Sequence, residues 1–248
     1  MKYFTFMATD SGAQPNLPEQ DNPDEDTTVE WVQQQVAAGT MIDGERIEPR
    51  ENAKTVRVRN GELIVTDGPF TESKEWISGW AVMECDDREK VIEIMAKHPA
   101  ARHGQIEIRP FWDSDDQEHT RSIDDDPANG HYIMFVCVDP NPDTDTAPEP
   151  DVDEWFHRHN ASGKRLTGHV LTGTGDAITV TVRDGATLVK DGPFTESKEW
   201  IAGYDLLNCN SMDEAVAIAA EHAMARSGRI EVRAATPSDG TLRSRFRR

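Results

Sequence analysis

Cysteine is scarce in this sequence, and long apolar runs are missing. The chain has three cysteines in 248 residues, an odd number without metal-ligand spacing, which argues against a disulfide framework or a thiolate metal site. We expect Cys85, Cys137 and Cys209 to be small core residues. No segment is apolar enough to span a membrane, and the N-terminus lacks a basic region followed by an apolar one. The sequence therefore predicts a soluble cytoplasmic protein without a metal.

Basic residues are also few relative to acidic ones. Lysine and arginine total 26, against 46 aspartate and glutamate residues, for a formal net charge of −20. Such a charge argues against nucleic acid as a partner, because phosphates would be repelled. The acidic excess is similar to that of halophilic proteins from salt-rich cytoplasm, where the self-repulsion is screened. A basic partner protein is the alternative.

Several motifs of common enzyme classes are missing. The chain has no glycine-rich phosphate loop, no nucleophile elbow and no CxxC pair. We therefore predict no cofactor, and the function has to be inferred from other features.

The most informative feature present is an internal repeat. Asp67 to Gly79 reads DGPFTESKEWISG, and Asp191 to Gly203 reads DGPFTESKEWIAG. Two copies of so particular a string indicate a tandem duplication. We predict a first domain over residues 1–112, an acidic linker over 113–129, a second domain over 130–235 and a basic tail over 236–248. The arginine-rich tail is either disordered or lies on an acidic surface.

A predicted β-hairpin precedes each copy of the string. Asn60-Gly61 and Asp184-Gly185 lie between segments of β-forming residues, which favours type I′ turns. The Asp-Gly-Pro that follows predicts a sharp corner that directs Phe70 and Phe194 into the core. Each half then reads as strand, helix, strand, hairpin, strand, helix, strand. This order predicts an α+β fold with largely antiparallel sheets and helices on one face.

The hairpin and the DGPF string together resemble the YCII-related proteins, in the branch known for its DGPF motif. The resemblance implies ferredoxin-like domains, two of which pack sheet to sheet as a dimeric α+β barrel. In a tandem chain it implies an intramolecular pseudo-dimer within one polypeptide. A further homo-oligomer is compatible with it, whereas membrane and nucleic-acid partners are not expected.

Polar residues of the corner are candidates for a site, because an acid and a base near a groove can transfer protons. The candidate catalytic residues are His157, His159, Asp67 and Asp191. The candidate ligand-binding residues are Arg59, Phe70, Glu72 and Lys74 with their counterparts Arg183, Phe194, Glu196 and Lys198. The alternative is a structural corner whose charges form exposed pairs.

The histidines distinguish between these interpretations. His98 and His222 correspond to each other late on a helix, where a structural role as a cation at the helix end is expected. His157 and His159 have no counterparts, since Gln33 and Gln35 stand there in the first half. If either lay beside a corner carboxylate, an enzyme would be favoured.

Three functions remain open. The first is a module that binds a small polar molecule or has a regulatory role. The second is a small-molecule lyase or hydrolase, because one branch of the family resembles a lyase with a His–Asp pair. The third is a structural or interaction protein.

Overall fold

The computed structural model describes residues 1–10, 27–69, 75–112, 130–138, 150–194 and 200–236. The first repeat forms β1 (Lys2–Asp10), α1 (Thr27–Ala38), β2 (Met41–Ile47), β3 (Lys54–Arg59), β4 (Glu62–Asp67), β5 (Glu75–Glu84), α2 (Arg88–Met95), α3 (Ala100–His103) and β6 (Gln105–Pro110). The second repeat forms β7 (Gly130–Val138), α4 (Val152–Ala161), β8 (Arg165–Val170), β9 (Ile178–Arg183), β10 (Ala186–Asp191), β11 (Trp200–Cys209), α5 (Met212–Glu221), α6 (Met224–Ser227) and β12 (Arg229–Thr236). The predicted element order and the α+β class are confirmed.

The chain divides into two compact units whose limits differ from those of the repeats. Unit 1 comprises Met1–Arg46, Ser73–Gln117 and Thr172–Glu196. Unit 2 comprises Ile47–Glu72, Glu118–Leu171 and Ser197–Arg248. Each unit therefore contains most of one repeat and the hairpin of the other repeat.

The sheet of unit 1 has the strand order β10-β9-β6-β1-β5-β2. Its inner part, β6-β1-β5-β2, is antiparallel and has the strand order of a ferredoxin-like sheet. The hairpin of the second repeat extends this sheet, because β9 pairs antiparallel with β6 and aligns Val180 with Ile106. Both residues are fully buried, so the hairpin contributes to the core of unit 1.

The sheet of unit 2 repeats this arrangement with the order β4-β3-β12-β7-β11-β8. Here the hairpin of the first repeat is added, because β3 pairs antiparallel with β12 and aligns Val56 with Ile230. Val56 and Val58 lie in a core cluster with Trp155 and with residues of α5 and β12. Burial of apolar surface stabilises by about 25 cal/mol per Å², so the added hairpin stabilises the unit that receives it.

The predicted turns form, side chains cap α2 and α5, and the cysteines are buried. Asn60 and Gly61 have positive φ angles of 53° and 79°, as a type I′ turn requires, and the turn at Asp184 is equivalent. Asp87 caps α2 by accepting from the Lys90 N–H at 2.8 Å. Ser211 caps α5 through the Glu214 N–H at 3.2 Å. The three cysteines are buried free thiols, as expected.

The arginine that ends the first strand of each hairpin, next to the turn, forms hydrogen bonds with the unit that receives the hairpin. Arg183 donates hydrogen bonds to the carbonyl oxygens of Ala101, Arg102 and Gly104, at 3.0, 3.2 and 2.9 Å. Arg59 makes the equivalent contacts at 2.9, 2.7 and 2.9 Å in unit 2. The last carbonyls of a helix lack partners within the helix, so each guanidinium caps the end of α3 or α6.

Some expectations stay predictions. The sheet-to-sheet barrel and the proposed domain limits are untested. The linker and residues 237–248 of the tail lie outside the described residues, whereas Thr236 is the last residue of β12. No helix among the described residues is long and apolar enough to cross a membrane.

The arginine contacts predict a large effect of substitution at Arg183. We expect Arg183→Ala to lower the free energy of unfolding by about 1–3 kcal/mol, because charged hydrogen bonds to three carbonyls are lost. Arg183→Lys should rescue only part of this, since one ammonium group lacks the planar fork of donors. Urea denaturation followed by circular dichroism measures both. Arg102→Gln, whose side chain takes no part in these bonds, is the control, and unchanged stability of Arg183→Ala would refute the capping role.

Candidate functional site

The two corner aspartates are exposed and paired with nearby cations. Lys54 Nζ lies 2.5 Å from Asp67 Oδ1 across the first hairpin. Arg88 Nη2 lies 2.5 Å from Asp191 Oδ1 in unit 1. Both aspartate side chains are 84% exposed. Neither of these pairs includes a histidine. The predicted residues Phe70, Glu72, Lys74, Glu196 and Lys198 lie outside the described residues.

The corner of the second repeat is held by backbone and hydroxyl contacts. Gly192 has a φ of 101°, which favours glycine there. Its N–H donates to the Ala177 carbonyl at 2.8 Å, and its own carbonyl accepts from the Thr179 hydroxyl at 2.8 Å. Phe194 is only partly buried, and its N–H donates to Glu107 Oε2 at 3.1 Å. The corner therefore supplies an amide to a carboxylate of β6.

Charged residues of the last strand of each repeat are buried, which was not expected from the sequence. Glu107 and Arg109 lie two residues apart on one face of β6 and form an ion pair. Both residues are only 2% exposed. Arg109 also donates to the Thr172 carbonyl at 3.0 Å. Glu231 and Arg233 repeat the pair at 3.5 Å in unit 2. The repeated Glu-x-Arg spacing was the available signal, and the pairs neutralise charges that would be costly to bury alone.

The histidines of α4 differ in environment. His157 is exposed. His159 is 7% exposed, and its Nε2 lies 3.1 Å from Glu221 Oε2 of α5. Desolvation lowers the pKa of His159, and the Glu221 carboxylate opposes part of that shift. The partner of His159 is thus a helix carboxylate and not a corner aspartate.

A second polar pair is also specific to unit 2. Arg165 Nε donates to Asp205 Oδ1 at 2.6 Å, and the guanidinium lies 4.6 Å from the centre of the Phe156 ring. Met41 and Ala81 stand at the equivalent positions of the first repeat. The two units therefore share a fold, but this pair of charged residues is present in unit 2 and replaced by uncharged residues in unit 1.

His98 and His222 have the structural role that was predicted, but as neutral acceptors and not as cations. His98 Nδ1 accepts from the Ala100 N–H at 3.0 Å, and His222 Nδ1 accepts from the Met224 N–H at 3.1 Å. Each ring packs edge-on against a helix tryptophan, Trp31 or Trp155. Burial lowers the pKa of His98 to about 4 and also lowers that of His222.

Unit 1 contains an open groove that includes one predicted ligand-binding residue, Arg183. The groove has a volume of about 770 Å³ and lies between the α2–α3 segment and the tip of the β9–β10 hairpin. We call it the hairpin groove. Its lining residues are Glu93, Ala96, Lys97, Arg102, Val182, Arg183, Asp184, Gly185 and Thr187.

The charged side chains of the hairpin groove are three cations and two carboxylates. Lys97 pairs with Glu93 at 2.7 Å, and hydrogen bonds from Lys97 and Lys90 lower the pKa of Glu93. Arg102 is exposed. A local excess of positive charge is unusual in a chain of net charge −20, and it favours an anionic ligand. No group of three or more candidate metal ligands occurs in the part of the chain that the structure describes.

The corresponding positions of the second repeat have a different set of charges. Glu221 replaces Lys97, Asn60 replaces Asp184 and Ala217 replaces Glu93, whereas arginine is kept at positions 59 and 226. Glu221 is engaged by His159. The lysine that makes the groove basic is therefore specific to unit 1.

Comparison with known proteins identifies the family. The profile of the YCII-related domain matches residues 1–115 and again residues 129–238. The chain belongs to the YCII-related family. An uncharacterized protein of Rhizobium meliloti (strain 1021) is 42% identical over 78 residues, which is 31% of this chain. The match spans 63% of that relative's length. The two matches agree with the tandem duplication of the YCII-related domain inferred from the repeated string.

The buried histidines predict a loss of stability in acid. Because His98 titrates near 6.5 when unfolded and at about 4 when folded, the unfolded state binds more protons between these values. The free energy of unfolding should therefore fall by about 3 kcal/mol as the pH falls from 6.5 to 4. Arg46 adds to the effect of burial on this pKa.

Urea titrations across this pH range test the prediction with His98→Asn, whose amide oxygen can replace the Nδ1 acceptor. The variant should have a smaller pH slope than the wild type, with the contributions of His222 and His159 remaining. An identical slope would show that His98 is not buried as a neutral ring.

The exposed corner aspartates predict a small effect of their removal. Asp67→Asn together with Asp191→Asn should change the free energy of unfolding by at most about 1 kcal/mol, because exposed ion pairs are weak. Thermal unfolding of the double variant measures this. A larger loss would mean that the corner carboxylates support the fold in a way that their present contacts do not explain.

Proposed function

We propose that this YCII-related protein is a non-catalytic module that binds a small anionic molecule in the hairpin groove of unit 1. The observation that supports the proposal most strongly is the cluster of Lys97, Arg102 and Arg183 around an open volume of about 770 Å³. That volume is within the range of small-molecule sites. Carboxylates and phosphates are the groups that such side chains recognise.

The arrangement of the groove supports a site that is formed before the ligand arrives. Arg183 is held in place by its bonds to the end of α3. Its guanidinium donates to carbonyl oxygens among the described residues, so a ligand anion would add a favourable interaction. The groove is built from the α2–α3 helix pair of the first repeat and the β9–β10 hairpin of the second repeat. It therefore forms only when β9 is paired with β6.

The enzymatic alternative has less support. A lyase or hydrolase of the expected kind would need a histidine beside a corner carboxylate. His159 contacts Glu221, His157 is exposed, and Asp67 and Asp191 are paired with Lys54 and Arg88. The catalytic assignment of these four residues therefore remains a prediction without a supporting contact among the described residues.

Several finer expectations belong to the same proposal. The family resemblance supports the barrel arrangement and the internal pseudo-dimer. The acidic composition supports a salt-rich cytoplasm as the setting. A regulatory role would follow if ligand binding altered the interactions of the chain with another molecule.

Calorimetric titration with inorganic phosphate and with succinate at low salt tests the proposal. Arg102→Gln and Lys97→Glu should each weaken binding by about tenfold, which corresponds to about 1.4 kcal/mol. Lys97→Glu introduces the residue that the second repeat has at this position, so it removes the charge with a side chain that this fold already accommodates.

Arg226→Gln is the matched control, because Arg226 is the counterpart of Arg102 in the second repeat. It should leave the affinity for both probes unchanged. Equal weakening by Arg226→Gln and Arg102→Gln would contradict a site in unit 1, as would wild-type affinity in both groove variants. Circular dichroism of each variant checks that the fold is retained.

A further inference from the structure

Each unit ends in an edge strand that is exposed along its whole length. Among the described strands, β4 pairs with β3 alone and β10 with β9 alone. All six residues of each strand are exposed. The apolar side chains among them have the following exposed fractions: Leu63 51%, Ile64 37%, Val65 42%, Leu188 52% and Val189 49%. Exposed apolar edge strands are templates for the addition of another strand.

We propose that β4 of one molecule pairs antiparallel with β10 of a second copy of this chain. A second copy is the occupant that the two edges themselves favour, because every molecule carries one of each and their side chains are complementary. The pairing brings together apolar side chains of β4 and β10 that are exposed in their own units.

The backbone restricts the register of this pairing. In an antiparallel strand, residues that bond to one neighbour alternate with residues whose N–H and C=O groups point away from it. Counting from the two-residue turns, Leu63 and Val65 point away from β3, and Thr187 and Val189 point away from β9. A new ladder must join these outward residues, so a shift by one residue is not allowed.

Two such registers each pair five residues of β4 with five residues of β10. The one that opposes apolar side chains at two successive positions aligns Leu63 with Val189 and Ile64 with Leu188. Directly opposed residues lie on the same face of a sheet. Leu63 and Val189 are on the faces that align with buried Val58 and Val180 of their own hairpins. The helix-covered faces of the two sheets would thus be on the same side.

The same register places Glu62 opposite Lys190, a pair of opposite charges. Opposed charges stabilise an antiparallel pair. Self-pairing of β4 in its best outward register would instead oppose Glu62 with Thr66, without a charge pair. In a chain of net charge −20, an attractive pair at the contact favours β4 with β10 over β4 with β4.

Sedimentation velocity over a range of protein concentrations, at low and at high salt, tests the pairing. The wild type should form species larger than one chain, more readily at high salt because the net repulsion is screened. Val189→Pro should lower the association constant by at least about tenfold, since it removes an outward N–H that β9 does not use. Val189→Lys is a second variant in case proline disturbs the hairpin.

A charge exchange tests the register. Glu62→Lys should weaken association, and adding Lys190→Glu should restore it. A wild type that remains one chain at every concentration overturns the proposal. So does self-association that Val189→Pro and Val189→Lys leave unchanged, or a double variant that stays as weak as Glu62→Lys. Thermal unfolding confirms that each variant is folded before its association is interpreted.

Discussion

The pairing of each hairpin with the last strand of the other repeat is the interaction on which the structure depends. β9 joins β6 in unit 1, and β3 joins β12 in unit 2. Each pairing places valines of one repeat in a core formed mostly by the other. The arginine that ends each β3 or β9 strand then caps a short helix of the receiving unit. An isolated two-stranded hairpin is only marginally stable, and the second strand of each hairpin, β4 or β10, is exposed. Pairing with the receiving sheet therefore supplies the stability that each hairpin lacks.

The buried charges follow from the same construction. Glu107 and Arg109 pair on β6, the strand that receives the hairpin, and the corner after that hairpin donates an amide to Glu107. The equivalent pair in unit 2 includes Arg233, whose pKa is lowered by desolvation. Burying a charge without a partner costs several kcal/mol. Pairing of the two charges on β6 and on β12 lowers this cost, so these strand faces can be buried.

Duplication has produced two units with the same framework and different chemistry. The framework contacts are repeated: the tryptophan against a neutral histidine, the arginine cap and the buried ion pair. The differences lie beside them. Unit 2 has the Arg165–Asp205 and His159–Glu221 pairs, whereas unit 1 has Lys97 and an open, locally basic groove. Divergence at the surface of a repeated framework is expected when one copy can change while both continue to fold.

The amino-acid sequence by itself determined the duplication, the element order, the type I′ turns and the family, because these depend on local patterns and on a repeated string. Asn60-Gly61 favours a type I′ turn with positive φ angles, whichever sheet the hairpin joins. The tertiary structure decided which unit receives each hairpin, since β3 and β9 have the same pattern and either receiving strand would match it. It also decided that Arg59 and Arg183 cap helices, that Glu107 and Arg109 are buried, and that His159 meets Glu221. Those outcomes depend on residues far apart in the chain, and no local pattern specifies which of them come into contact.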